Sequence, residues 1–285
     1  MHINAYYNGL FTSREKIRIP LTDRAVFFGD GIYDAAIGRG GKIFMLDEHI
    51  ERFYSNASAL DIPIKTTKQE LKSILLNLAA CSPHECYFVY LQLTRFSPER
   101  THSYPDTELS NLLITVTEQE IPNLDKKLKL TVEKDIRHEM CNVKSLNLLP
   151  SVLASRKATL LGCDEAVLHR NGVVTEGARS NVHIITNGAV ITHPLDNRIL
   201  PGISRKHMLG VCQSLGIPVI ERPFSLYELF KADEVLVTSS SKLALPVKQV
   251  DKIEFYLSEN GLGNKICRKM LSDFINFTKK DTTNC

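Results

Sequence analysis

Two Asn-Gly dipeptides in the middle of the chain constrain its fold more than any other feature. Glu165-Ala166-Val167-Leu168-His169 runs into Asn171-Gly172 and continues as Val173-Val174-Thr175. Asn181-Val182-His183-Ile184-Ile185 runs into Asn187-Gly188 and continues as Ala189-Val190-Ile191-Thr192. Both residue types tolerate the positive φ that a two-residue loop requires, so each stretch predicts a tight antiparallel hairpin. A third such turn, Asn8-Gly9, separates Ala5-Tyr6-Tyr7 from Leu10-Phe11-Thr12. Helical periodicity interleaves with these strands. A helix is expected from Glu48 to Leu60, capped by Asp47, with Ile50, Phe53, Ala57 and Leu60 on one face. A second is expected from Thr67 to Ala80, with Leu71, Ile74, Leu75 and Leu78 as its apolar stripe. Residues 86–93 and 112–116 read as strands, and the whole is an α+β chain.

At 285 residues there is material for two cores. The polar stretch from Glu118 to Lys127, with Pro122 inside it, marks the connection and divides the chain into 1–120 and 121–285. A net charge of +3, spread along the sequence, argues against nucleic acid or an anionic membrane as the main partner. No apolar run approaches the roughly 20 residues that span a bilayer. The first residues lack a signal peptide's basic and apolar regions, and the seven cysteines are scattered without a CxxC pair. A cytoplasmic protein with reduced thiols is expected, and no metal-ligand constellation is visible.

Chemistry gathers at the junctions. In "NVKSLNLLPSVLASRKA", Lys144 stands between the strand pattern of Leu128 to Glu133 and the helical spacing of Leu149, Val152, Leu153, Leu160 and Leu161. A lysine there is either a solvated charge or an amine poised to condense with an aldehyde. The second role needs the neutral form, which partial burial and the positive potential of a helix start would favour. Glu176, at a hairpin strand's end before Gly177, offers a carboxylate that could keep a pyridine nitrogen protonated; its alternative is a solvated strand end. Gly202-Ile203-Ser204 feeds a helix with free amides and a hydroxyl, and Thr238-Ser239-Ser240-Ser241 adds a second hydroxyl-rich turn after a strand. Both suit a phosphate, although each is a common structural element alone.

Together with "LTDRAVFFGDGIYDAAI", "KIFMLDEHIERF", "DEAVLHRNGVVTEGARSNV", "HPLDNRILPGISR" and "ADEVLVTSSS", these segments resemble the fold type IV pyridoxal-phosphate enzymes over residues 7–250. That family includes D-amino-acid and branched-chain aminotransferases and aminodeoxychorismate lyases. The resemblance implies a smaller N-terminal α/β domain, a larger C-terminal pseudobarrel and pyridoxal 5'-phosphate as cofactor. It makes Lys144 the Schiff-base lysine and proton shuttle, and Glu176 the partner of the pyridine nitrogen. Arg52 becomes a phosphate ligand rather than a surface partner of Glu48, joined by Ile203, Ser204, Ser239 and Ser240. Tyr33 becomes an active-site tyrosine instead of a core residue. Arg100-Thr101-His102, otherwise a basic loop tip, resembles the D-amino-acid enzymes' carboxylate trap, in which Arg and His reach in from the neighbouring subunit of a homodimer.

The activity implied is transfer of the amino group of D-alanine and other D-amino acids to 2-oxoglutarate. Ala178-Arg179 stands where small hydroxyl residues are common, placing a charge near the cofactor face, and Phe96 stands where glycine is common after Thr-Arg. A pyridoxal-phosphate lyase or a branched-chain L-aminotransferase would share the cofactor residues, and a cofactor-binding scaffold is the non-enzymatic alternative.

Overall fold

The structure, a computed structural model, describes residues 3–96, 99–104 and 109–279. The chain separates into two compact units. The first comprises residues 1–121, 143–147 and 275–285, and the second residues 122–142 and 148–274. The single cut expected between 120 and 121 therefore lacks two features: the short segment carrying Lys144 and the end of the chain from residue 275 both belong to the first unit.

In the first unit, β1 (Ala5–Tyr7) and β2 (Leu10–Thr12) are followed by α1 (Arg24–Phe28), β3 (Gly31–Arg39), β4 (Lys42–Ile43), α2 (Leu46–Ala59), α3 (Lys68–Ala80), β5 (Cys86–Arg95) and β6 (Ser110–Glu118). The strands form one antiparallel sheet in the order β2-β1-β6-β5-β3-β4. Ile50, Phe53 and Ala57 of α2 and Leu71, Leu75 and Leu78 of α3 pack with Val89, Leu91 and Leu93 of β5 in one buried cluster. Asp47 does not cap α2: Met45 occupies the N-cap in the left-handed region (φ 51°), and Asp47 lies in the first turn. Thr67 and Glu70 close a capping box on α3, which satisfies two amides that the helix start leaves without acceptors.

The second unit contains β7 (Leu128–Lys134), α4 (Leu149–Leu160), β8 (Glu165–Arg170), β9 (Val173–Gly177), β10 (Asn181–Thr186), β11 (Ala189–Thr192), α5 (Ile203–Ser214), β12 (Val219–Glu221), α6 (Leu226–Lys231), β13 (Glu234–Ser239), β14 (Leu243–Val250) and β15 (Ile253–Glu254). The helix α7 (Leu262–Thr278) follows. The hairpin turns are as expected, with Asn171 and Gly172 at φ 52° and 81° and Asn187 and Gly188 at 51° and 76°. Strand order is β12-β11-β10-β13-β14-β7-β8-β9, with β15 against β14.

This order forces the sheet to curl. β9 and β10 stand five positions apart, about 24 Å if the sheet were flat, yet only residues 178–180 join them, a reach of at most about 14 Å. The Gly177 N–H donates to Ser180 O at 2.7 Å across the join. The result is a half-barrel filled by Val167, Val182, Ile184, Val235, Val237, Leu245 and Val247.

The helix expected after Lys144 forms as α4, but its apolar residues face outward. Leu149, Val152, Leu153, Leu160 and Leu161 are all more than half exposed, and Ala158 is the helix's buried residue.

Candidate functional site

Lys144 lies on an extended segment laid along the start of β3. Its carbonyl accepts from the Tyr33 N–H at 2.9 Å, and the Leu146 N–H donates to Gly31 O at 3.0 Å. It is not at a helix start, since α4 begins at Leu149. The ammonium Nζ is 4.2 Å from the centre of the Tyr33 ring, within cation–π range. Tyr33 in turn stacks on Tyr90 at 5.6 Å.

The next residue of β3, Asp34, is fully buried. It accepts from Arg52 Nε at 2.8 Å and Nη2 at 2.7 Å, and its Oδ1 lies 2.7 Å from His49 Nδ1. Burial alone would raise its pKa, but Arg52 and then His49 outweigh that and hold it well below the usual carboxylate range. Burial lowers the pKa of His49; Asp34 opposes this, and the charges of Arg52 and Lys144 add to it. Arg52 is thus oriented by a buried carboxylate, a partner eighteen positions away that the i,i+4 reading through Glu48 could not show.

Arg100 and His102 keep to other company. The Arg100 guanidinium lies over the rings of Phe27 and Phe28, at 5.5 and 5.1 Å, and the His102 ring is 5.3 Å from Phe28. Neither makes a hydrogen bond, ion pair or ring contact with Tyr33 among the described residues.

In the second unit, Glu176 is buried at the end of β9. Its Oε2 accepts from Asn181 Nδ2 at 2.9 Å and the Leu200 N–H at 3.0 Å, and its Oε1 accepts from Arg137 Nη1. Arg137 also donates Nε and Nη2 to Asp135, each at 2.9 Å. Burial would raise the Asp135 pKa, but hydrogen bonds and charge from Arg137 override it and hold the carboxyl at about 2. Arg170 at 3.2 Å and the Thr175 hydroxyl at 3.0 Å add to its partners. Neutral donors and two guanidinium groups together fix this pair of carboxylates. Charge-assisted bonds of this kind are short and strong and hold the carboxylates' geometry.

Asn181 links Glu176 to the start of α5. Its Nδ2 also donates to Leu200 O at 3.0 Å, and a Cβ on Gly202 would stand 2.0 Å from its Oδ1. Gly202 is the N-cap of α5 and supplies no side-chain cap, which leaves the first-turn amides of Ile203 and Ser204 available. Ser204 is buried. Ser239 has a buried Oγ with no hydrogen-bond partner among the described residues, while Ser240 lies half-buried in the turn after β13. An uncapped helix start, a buried hydroxyl awaiting an acceptor and a glycine at closest approach fit a phosphate. The Arg179 guanidinium is well exposed, donates to Asp164 O at 3.1 Å and lies 3.8 Å from Glu165 Oε2.

Arg137, Asn181 and Asp34 are the residues that sequence reasoning missed. The Asp135-x-Arg137 spacing after a strand and the Asn that ends the Thr-Glu-Gly turn were the available signals, but Arg137 meets Glu176 39 positions on and Asn181 meets the Leu200 carbonyl 19 positions on. Among the described residues, no group of three or more His, Cys, Asp or Glu side chains could hold a metal ion, and no helix is long and apolar enough to cross a membrane.

The fold is shared with solved aminotransferases. A branched-chain amino acid aminotransferase from T.th., complexed with N-(5'-phosphopyridoxyl)-L-glutamate, superimposes with a TM-score of 0.88, covering 99% of this chain and 96% of that one at 20% identity. The branched-chain enzyme of Thermoproteus uzoniensis gives 0.87, covering 96% and 97% at 19% identity. The architecture is therefore that of the fold type IV aminotransferases. Residues 31–250 match the amino-transferase class IV family, and the chain belongs to it. The D-alanine aminotransferase of Listeria monocytogenes serotype 4b is 37% identical over 252 residues, 87% of each chain. That of Staphylococcus haemolyticus is 36% identical over 249 residues, 86% of this chain and 88% of the other.

Proposed function

We propose that the protein is a D-amino-acid transaminase that uses pyridoxal 5'-phosphate to move the amino group of D-alanine to 2-oxoglutarate, giving pyruvate and D-glutamate. The observation that carries this reading is the buried Glu176 carboxylate, locked by Arg137, Asn181 and the Leu200 amide beside the uncapped start of α5. Similarity to two D-alanine aminotransferases over most of the chain supports the choice of substrate.

Pyridoxal phosphate, when bound, supplies an aldehyde carbon and a protonated ring that withdraws electrons from the substrate α-carbon. Lys144 is the residue that would hold that aldehyde, and its Nζ would accept and return the substrate α-proton. Tyr33 orients the amine through its ring face. Glu176, held in place by Arg137, Asn181 and the Leu200 amide, would accept a hydrogen bond from the ring nitrogen and so favour its protonated form. The amides of Ile203 and Ser204 and the hydroxyls of Ser204, Ser239 and Ser240 would hold the phosphate, and Arg52, set by Asp34, would supply positive charge to it.

Arg100 and His102 grip the substrate carboxylate. Within one chain they engage Phe27 and Phe28 rather than Tyr33, so we assign them to the site of a second copy in a homodimer. The exposed leucines of α4 supply an apolar surface for such an association. The six described cysteines are free thiols, which suits the cytoplasm.

The test is stereochemical. The purified protein is given each enantiomer of alanine with and without 2-oxoglutarate, and pyruvate is followed. Pyruvate from D-alanine only when 2-oxoglutarate is present supports the proposal. Preference for L-alanine or L-leucine, or pyruvate released from D-serine without a keto acid, would replace it with the branched-chain or lyase reading.

A further inference from the structure

The segment that carries Arg100 and His102 is exposed, yet it is tied down by an unusual set of buried charges. Arg24, in α1, is 4% exposed and uses all three nitrogens of its guanidinium. Nε is 2.7 Å from Asp30 Oδ2, Nη1 donates to Thr101 O at 2.6 Å, and Nη2 donates to His102 O at 3.2 Å. The same guanidinium lies 4.6 Å from the centre of the Phe28 ring. Phe28 is the ring against which Arg100 and His102 also rest, at 5.1 and 5.3 Å.

A second arginine completes the brace. Arg95 is buried, bonds Asp30 at 3.1 Å, donates to Asp61 O at 2.8 Å and to Leu60 O at 2.5 Å, and lies 3.5 Å over the Tyr104 ring. One carboxylate, Asp30, therefore anchors two guanidinium groups. Asp23, next to Arg24 in sequence, holds the strands from which the segment departs: it accepts from Thr94 Oγ1 of β5 at 2.6 Å and Asn111 Nδ2 of β6 at 2.7 Å. Beside this brace lies a cleft of about 480 Å³ lined by Arg24, Asp30, Arg95, His102, Tyr104 and Asn147. The brace holds the carbonyl of His102, whose ring lies against Phe28.

We propose that Arg24 is a positioning residue for substrate recognition: anchored on Asp30, it grips the main chain at Thr101 and His102 and sets where the Arg100 and His102 side chains stand for the α-carboxylate. The inference rests on the reading of Arg100 and His102 as the carboxylate grip. It explains why the residue is arginine, because a lysine presents one point charge and cannot serve a carboxylate and two carbonyls along three directions at once. It also identifies what fixes the segment in a chain where Phe96 occupies the position often held by glycine. The strand ends and the grip are held by adjacent residues, Asp23 and Arg24; Phe96 forms a β-bridge with Asp23 and donates its amide to Leu109 O at 3.3 Å.

The test compares Arg24→Lys, Arg100→Ala and His102→Ala as pyridoxal-phosphate-loaded holoenzymes, with hydrogen exchange measured for residues 99–104. Arg24→Lys is expected to raise KM for D-alanine and for 2-oxoglutarate about tenfold, as the loss of charged hydrogen bonds to the segment implies, with kcat changed less than about threefold. Exchange of residues 99–104 should rise while the rest of the molecule keeps its protection. If Arg24→Lys does not yield folded holoenzyme, Arg24→Gln is read in the same way, since it leaves Asp30 to Arg95. A KM within twofold of wild type, or equal losses in KM and kcat accompanied by a lower melting temperature, would overturn the inference in favour of a general packing role. If Arg100→Ala and His102→Ala raise KM and the Arg24 variants do not, the inference alone fails. If those two also leave KM unchanged, the grip itself is misassigned.

Discussion

Replacing Gly202 by alanine should uncouple the ring-nitrogen carboxylate from the phosphate-binding helix start. The backbone permits it, with φ −65° and ψ 133°. The space does not: the new Cβ would be 2.0 Å from Asn181 Oδ1 and 3.3 Å from its Cγ, against an ordinary 3.4 Å to Arg205 Cβ. Asn181 must then retreat by more than about 1 Å to reach normal contact. Its amide nitrogen is held at 2.9 Å by Glu176 and at 3.0 Å by Leu200 O, so the retreat breaks one bond to a charged group and one to a neutral carbonyl. Those losses are worth about 2–4 kcal/mol, offset by about 0.5–1 kcal/mol because alanine restricts the unfolded chain. A net loss of about 1.5–3 kcal/mol should appear in urea unfolding with an unchanged m-value. The decisive comparison is the Asn181→Ala background, where the obstructing side chain is gone and Gly202→Ala should cost less than about 0.5 kcal/mol. An equal cost in both backgrounds would refute the reasoning, because the loss would then come from the backbone or from Arg205.

Arg137→Gln leaves Asp135 and Glu176 buried without their shared cation, and should cost about 3–5 kcal/mol; a melting temperature close to wild type would contradict that. His183, fully buried between the hydroxyls of Thr192 and Thr238, is pushed down to about 3 by burial, with the Arg205 charge acting the same way. The unfolded chain takes up this proton below about 6.5 while the folded one resists until about 3, so stability present above pH 6.5 is lost on acidification, at about 1.4 kcal/mol per pH unit. In His183→Gln the stability–pH slope between pH 6 and 4 should fall by about that amount, and an unchanged slope would show that the residue titrates normally. Leu149→Lys with Leu153→Lys should convert a dimer to monomer in sedimentation analysis; a persistent dimer would place the association surface elsewhere.

What could be read from the chain depended on how local the determinant was. The Asn-Gly turns are fixed by two adjacent residues, and they occur where the pattern puts them. The helix after Lys144 forms as its spacing suggests, but periodicity does not reveal which surface an apolar face meets, and that of α4 is exposed. Lys144 does lie between β7 and α4, but what holds it is pairing with β3 more than a hundred residues earlier, which no local pattern shows. The polar partners were the least accessible. Arg52 with Asp34, Glu176 with Arg137, and Arg24 with the carbonyls of Thr101 and His102 are separated by 18, 39 and 77–78 positions, and only the folded topology brings them together.

The claim on which the rest depends is that Lys144 is the amine that carries the cofactor. Protein incubated with pyridoxal phosphate, reduced with borohydride and digested should yield a phosphopyridoxyl group on the peptide containing Lys144, absent from Lys144→Ala. A label on a different lysine, or none at all on a protein that still turns over D-alanine, would contradict the account.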